Sequence, residues 1–519
     1  MITFPWITTL TMVPVVGAIV LLALGSRNKV LVRWIALAFS IFALILTLVL
    51  WHKFNTVADG FQFQELHAWA PSLNIEYRVG IDGLGLLMLL LTSIVVPIGM
   101  LASWQIQQRV SLYFALVLFL QACLFGTFTA LNFFHWFIFW ELGLIPAFFL
   151  IKLWGGPKSA KAAMQLLVYT MVGSIAMLMS FLAIYLATKT FDFTELAHLA
   201  QSGQLMPAVV STLGWHLFTP EHTAMLIFLG AFLGFAVKVP LIPFHTWLPA
   251  AYSEAPTGTT IILTGAMSKM GLYGFLRILL PLFAPQMQQV LTPLLWLAVA
   301  TVVLSAYAAL AQTDLKRTFA YSSINHLGYC MLGFFAVVKF TGGDAGLTSE
   351  KFAAMNGVFL QMFNHGLTAA TVFWFIAMLE KRTGGLRGLN DFGGLRKVIP
   401  VFTGLMGIAL FSSLGLPGLN GFIGEFLIFK GSLPLVTWAT AISALGLLIT
   451  TIFILGVLQR VFYGPLGEKW VHLPDLTLGE RLTLVPAIGL MFALGLYPQL
   501  ILGVVNHTAI QMALNLRNF

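Results

Sequence analysis

The sequence predicts an all-α polytopic membrane protein of about 14 transmembrane helices, with two inverted five-helix repeats whose helices 7 and 12 are broken. Three observations predict it. Of 519 residues, 59% are hydrophobic and only 9% are charged, against about 25% charged in soluble domains. Many stretches reach roughly 20 residues with at most one charge, enough to cross a hydrocarbon core of about 30 Å. Basic residues recur in alternate connections, as cytoplasmic loops require. A transmembrane β-barrel would show short alternating strands instead.

The spans read as 4–25, 31–51, 82–104, 111–130, 132–153, 163–188, 223–247, 257–283, 288–311, 317–340, 354–379, 398–430, 437–463 and 481–503. The first lacks a basic leader and a small-residue cleavage site, so it counts as a membrane helix. SRNKVLVR joins spans 1 and 2, KLWGGPKSAK spans 5 and 6, QTDLKR spans 9 and 10, and EKRTGGLRGLNDFGGLRK spans 11 and 12. The intervening connections, such as 189–222, are neutral or mildly acidic. Both termini are therefore expected on the non-cytoplasmic side of a cell inner (cytoplasmic) membrane. The same loops account for the net charge of +9 without nucleic acid. Residues 1–519 read as one integral membrane domain.

Span 7 carries GFAVKVPLIPFHTW, with Pro240 and Pro243, and span 12 carries GLPGLNGFIGE around Pro417, Gly418 and Gly421. Proline removes a backbone hydrogen bond and clashes with the preceding turn, while glycine permits unwinding. Backbone groups freed at membrane depth must be buried in protein or line a wet cavity. The breaks lie five spans apart, and an odd offset inverts a repeat across the membrane. Residues 111–283 and 288–463 are thus the expected inverted halves, with peripheral helices at 4–104 and 481–503. Paired broken helices in corresponding positions point to a transport site.

Charge accompanies both breaks. Glu141 lies mid-span in FIFWELGLIP, Lys238 precedes the first break, Lys269 lies in SKMGLYGFLR of span 8, and Glu425 follows the second break. One such charge at the bilayer centre costs about 2.5–3.5 kcal/mol, so four would cost about 10 kcal/mol if additive. That is too much for accident, and it argues against a purely structural helix bundle. The proton affinity of a Glu–Lys pair changes with its separation, the basis of a carboxylate–amine relay. Ser322, His326 and Cys330 form a stripe on span 10, and Gln361, His365 and Thr368 share a face of span 11. Neutral histidine can accept and donate a proton at different ring nitrogens. His245 beside the first break, His326 and His365 complete the expected wet path. They sit on three spans with no repeated spacing, which argues against a haem pair.

Cys123 and Cys330 are the only cysteines and match no metal spacing, and no disulfide framework is implied. The chain contains no glycine-rich nucleotide loop, Walker motif or CxxCH. No cofactor or metal is expected in this chain.

The runs FWELGLIP, FAVKVPLIPFHTWLPAAYSEAPT, SKMGLYGFLR, AQTDLKRTFAYSSINHLGY, LQMFNHGL and GLPGLNGFIGEFLIF occur in that order. Across roughly residues 80 to 465 they resemble the antiporter-like proton-pumping subunits of complex I. Within that group they resemble the chain M, or subunit 4, type of NADH:quinone oxidoreductase. Glu425 stands where sister chains usually carry lysine, and the chain is too short for the long lateral helix of chain L. The resemblance implies fourteen helices in two inverted repeats, an input pair Glu141–Lys238, a central axis of Lys269, His326 and His365, and a terminal exchange site at Glu425. It also implies partners: other membrane-arm subunits and, through them, NADH and quinone. Related assemblies are multi-subunit Na⁺/H⁺ antiporters and membrane-bound hydrogenases. One departure stands out. The family usually reads WLPDAH after the first break, whereas this chain has Ala250 and Tyr252 there, which leaves the cytoplasmic entry route open. Glu254 is a substitute charge there, and Lys430 is an extra cation near Glu425.

Overall fold

The computed structural model describes residues 4–214, 218–339 and 345–516. Residue 340, the last of the tenth expected span, and 215–217 of the 189–222 connection lie outside them. Among the described residues, twelve helices are long and apolar enough to cross a membrane. They correspond to expected spans 1–9, 11, 13 and 14. The two remaining expected spans are helical as well, and each departs for a physical reason. Leu315–Val338 carries Ser322, Ser323, Asn325 and His326 and buries nearly its whole surface, so this polarity faces protein rather than lipid. The twelfth span is split into Pro400–Ser413 and Asn420–Leu435.

Helix starts follow from local chemistry. The side chains of Asn28, Asp82, Asn132, Asp192, Thr219, Asp314 and Thr477 each accept a backbone N–H from the first turn that follows. The centre of the bundle is the 39-residue helix Ala345–Thr383. It packs against Gly83–Ala102, Leu315–Val338 and Asn420–Leu435. Trp6–Leu24 and Lys29–Lys53 lie at the periphery and expose Met12, Val16, Ile19, Ile41 and Ile45.

Two features depart from the sequence reading. An antiparallel hairpin, Gln62–Ala70 with Ile75–Ile81, lies between spans 2 and 3, so the fold is not purely helical. Its Arg78 pairs with Asp192, the N-cap of the short helix Phe193–Gln201. Hairpin and short helix therefore cover one end of the bundle together, on the side of the non-basic connections. The expected span 481–503 is instead Leu478–Leu496, followed after Pro498 by a further helix, Gln499–Asn515, which packs on Gly83–Ala102 and Ala345–Thr383.

Both expected breaks are present. Pro220–Lys238 ends before a stretch through Thr246, and Trp247–Glu254 resumes. The freed groups have partners: the Trp247 indole donates to the Val237 carbonyl at 2.9 Å, and the Ile242 N–H donates to Thr301 Oγ1 at 3.0 Å. At the second break, the Asn364 amide donates to the Asn420 carbonyl at 2.6 Å, and the Leu416 N–H reaches the Phe411 carbonyl at 3.0 Å. Gly415 turns the chain at φ +78°, a conformation open to glycine without a Cβ penalty.

Candidate functional site

Span 8 is not a uniform α-helix. Wider π-helical turns at Leu263–Met267 and Phe275–Leu279 flank the turn Lys269–Gly274. Such bulges recur at functional sites because they reaim side chains. Lys269 is fully buried. Its ammonium donates to the Thr264 carbonyl at 2.7 Å and lies 2.9 Å from His365 Nδ1. The rings of His365 and His326 are 5.2 Å apart between centroids. His326 Nδ1 lies 3.0 Å from Glu425 Oε1, and its Nε2 lies 3.1 Å from Ser413 Oγ. Gln361 donates to the same Glu425 oxygen at 3.1 Å. Four of the residues singled out from sequence, Lys269, His365, His326 and Glu425, thus form one buried polar chain across four helices. Both His326 nitrogens are engaged, by Glu425 and Ser413, so the two imidazoles meet through a ring contact and not a hydrogen bond; each ring can still accept a proton at one nitrogen and release one at the other.

Lys238 is also buried, at 2% exposure. Its ammonium lies 3.4 Å from the Trp140 carbonyl and 4.2 Å from the centre of the Trp140 ring. That is a cation–π contact backed by a carbonyl, a way to hold a cation without a counter-ion in touch. Glu141 follows Trp140 directly, yet makes no contact ion pair with Lys238. Glu141 belongs instead to the stripe Phe134, Ile138, Ile145 and Phe149, the exposed or half-exposed face of this span. Glu141 is, however, the next residue along from the Trp140 carbonyl that holds Lys238. Among the described residues, no hydrogen bond links Lys238 to Lys269.

His245 stands apart from the chain. It is half-buried within the unwound stretch of the first break, its Nδ1 has no hydrogen-bond partner, and its ring is 6.3 Å from Tyr321. Lys430 pairs with Glu350 at 3.3 Å on a partly exposed rim rather than with Glu425. Glu254 accepts the Lys158 N–H at 2.9 Å and lines a cavity of ≈ 290 Å³ at the end of the bundle that bears the basic connections.

Sequence reasoning passed over several participants. Lys316 looked like a loop charge in QTDLKR, yet it is 3% exposed and sits 3.8 Å from Glu380. Ser412 and Asn420 knit the second break to Thr368, already marked on the polar face of span 11, with Thr368 Oγ1 3.0 Å from Ser412 Oγ. The available signal was the polar pair Ser412–Ser413 immediately before the glycine-rich break.

Residues 130–452 match the model of the NADH:quinone oxidoreductase/Mrp antiporter transmembrane family. The chain belongs to that family. It is 32% identical to NADH-quinone oxidoreductase subunit M of Rickettsia conorii over 98% of this chain and 98% of that protein. Among solved structures it resembles a chain of respiratory complex I from Thermus thermophilus with bound NADH, at 25% identity and TM-score 0.83, covering 98% of this chain and 99% of that one. It shares the fold of a chain of the Mrp complex from Dietzia sp. DQ12-45-1b, at 20% identity and TM-score 0.81, covering 99% and 100%. The matched region contains every residue of the buried polar chain, as well as Glu141, Lys238 and His245.

Proposed function

We propose that this chain is a proton-translocating membrane-arm subunit of a respiratory NADH:quinone oxidoreductase, and that Lys269, His365, His326 and Glu425 are its central relay. The burial of these four residues side by side, two hydrogen-bonded pairs joined by a contact between the imidazole rings, carries the reading. Redox chemistry elsewhere in the assembly alters the Glu141–Lys238 interaction. Because proton affinity depends on the separation of such groups, the change moves the Lys238 proton towards Lys269. From there it passes along the two imidazoles to Glu425, the exchange site. His245, beside the unwound segment, serves water entering the break. The half-exposed Glu141 faces outward, where a neighbouring membrane subunit would cover it and transmit the change. Residues 111–283 and 288–463 act as the two inverted halves, and both termini face the non-cytoplasmic side of a cell inner (cytoplasmic) membrane. Redox cofactors, NADH and quinone belong to partner subunits in this reading. A multi-subunit Na⁺/H⁺ antiporter shares the fold over its full length, but the higher identity to subunit M favours the quinone-reducing assembly.

In the assembled complex, Glu141→Gln removes the outward charge and keeps the shape. Proton uptake coupled to quinone reduction should fall about tenfold or more, with the subunit still incorporated. Near-normal coupled uptake in that variant would sink the assignment.

A further inference from the structure

The two bonded pairs, Lys269–His365 and His326–Glu425, meet at a junction that carries no hydrogen bond. His365 Nδ1 is taken by the Lys269 ammonium at 2.9 Å. The two imidazoles touch only as rings, 5.2 Å between centroids with their planes 35° apart. On the far side, His326 Nδ1 lies 3.0 Å from Glu425 Oε1, an oxygen that also accepts the Gln361 amide at 3.1 Å. An ionised carboxylate only accepts, so Nδ1 carries the hydrogen and Nε2 is the bare nitrogen. Nε2 is therefore where His326 can receive a proton, and it is occupied: Ser413 Oγ lies 3.1 Å away and donates to it. The two bonds differ in strength. Hydrogen bonds to a charged group are roughly twice as strong as neutral ones, so the hydroxyl on Nε2 is the side that yields. Ser413 is placed to do so. It is the last residue of Pro400–Ser413, and Gly415 and Gly418 follow at positive φ. Its neighbour Ser412 is pinned by Asn420 and by Thr368. Among the described residues, the Ser413 hydroxyl has no hydrogen-bond partner other than His326.

We propose that Ser413 is a positioning residue that latches His326 and keeps the two pairs separate until the second break moves. The proposal rests on the proton-translocation reading above. With the latch on, Nε2 is occupied and no proton crosses between the rings. When the end of Pro400–Ser413 shifts, the hydroxyl leaves Nε2 and the ring is free to turn towards His365. The His365 imidazolium, charged by the Lys269 proton, then passes its Nε2 proton to His326 Nε2. His326 in turn passes its Nδ1 proton to Glu425 Oε1. His365 ends neutral, His326 ends neutral with its hydrogen on Nε2, and Glu425 ends as the acid. Ser413 now meets an N–H, and its oxygen accepts where it donated before. A hydroxyl serves both tautomers because its hydrogen rotates to suit the partner.

The test uses the purified complex in sealed vesicles and reads two quantities. One is protons moved per quinone reduced, and the other is the decay of an imposed pH gradient without electron donor. Ser413→Ala removes the hydroxyl, so the ratio should fall severalfold and the gradient should decay severalfold faster. Ser413→Thr keeps the hydroxyl and should bring both back close to the unsubstituted values. A packing role predicts the opposite order, with Ala mild and the bulkier Thr impaired, and that order overturns the latch. The extra decay must also run through the imidazoles. Adding His365→Gln to Ser413→Ala should abolish it, and a leak that persists overturns the latch. If Ser413→Ala fails to assemble, Ser413→Cys offers only a weak donor, and full coupling there overturns the latch equally. Lys269→Ala run alongside separates the two readings. Full pumping in Lys269→Ala removes the central relay and the latch together, whereas lost pumping there beside a tight, fully coupled Ser413→Ala removes only the latch.

Discussion

At Gly415 two constraints meet in a single residue. The backbone runs at φ +78°, and an added Cβ would lie 2.7 Å from Glu425 Oε2. Alanine there would carry a left-handed penalty of about 1–2 kcal/mol. It would also push the carboxylate away from His326 Nδ1, now 3.0 Å distant. Gly415→Ala is therefore expected to lower the thermal midpoint of the complex and to slow proton release at once. A variant with unchanged melting and unchanged pumping would contradict this account of the break. The same residue shows what a sequence reveals at this scale. Glycine at a break signals an unusual backbone, but its nearness to a carboxylate ten residues on depends on how the chain folds back.

The breaks themselves were legible because proline and glycine act locally. Pro240, Pro243, Pro417, Gly418 and Gly421 interrupt helices wherever they pack. What satisfies the interrupted backbone was not legible, because Thr301 and Asn364 come from spans remote in sequence. The π-helical turns around Lys269 escaped for a related reason: they arise from how span 8 packs, not from any residue type. Lys316 misled in the other direction, since basic residues near span ends usually mark orientation. The hairpin at 62–81 was missed although Ile75, Tyr77, Val79 and Ile81 alternate with Glu76, Arg78 and Gly80 at a strand's period, because a window of about 20 residues tuned to membrane helices averages that alternation away. The element-scale prediction concerns the Trp247 indole, which donates to the Val237 carbonyl at 2.9 Å. Hydrogen bonds inside membrane proteins average about 0.6 kcal/mol, with a ceiling near 1.7 kcal/mol. The Val237 carbonyl has lost its helical partner, so Trp247→Phe should approach that ceiling. A thermal-inactivation series in detergent measures it, and an unshifted midpoint would mean the break is held by packing alone.

For the whole molecule, the basic connections at one end and the hairpin at the other make orientation a physical claim. Reporter domains that mature only outside the cytoplasm, fused after the last helix, should be active. The same reporters placed in the 384–394 connection should be inactive, and the opposite pattern would invert the membrane assignment. The fold class was legible because hydropathy and loop charge are whole-chain properties. The central relay was legible only as separate stripes. Their convergence needed four helices brought together around Ala345–Thr383. Glu141 has a consequence at this scale too. On the stripe Phe134, Ile138, Ile145 and Phe149 it stands among side chains that suit acyl tails. A lone copy in the bilayer would hold a carboxylate against lipid at a cost of about 2.5–3.5 kcal/mol. The residue that would receive the driving signal would thus also mark an unassembled subunit as incomplete, exposing orphans to membrane proteases until a neighbour docks.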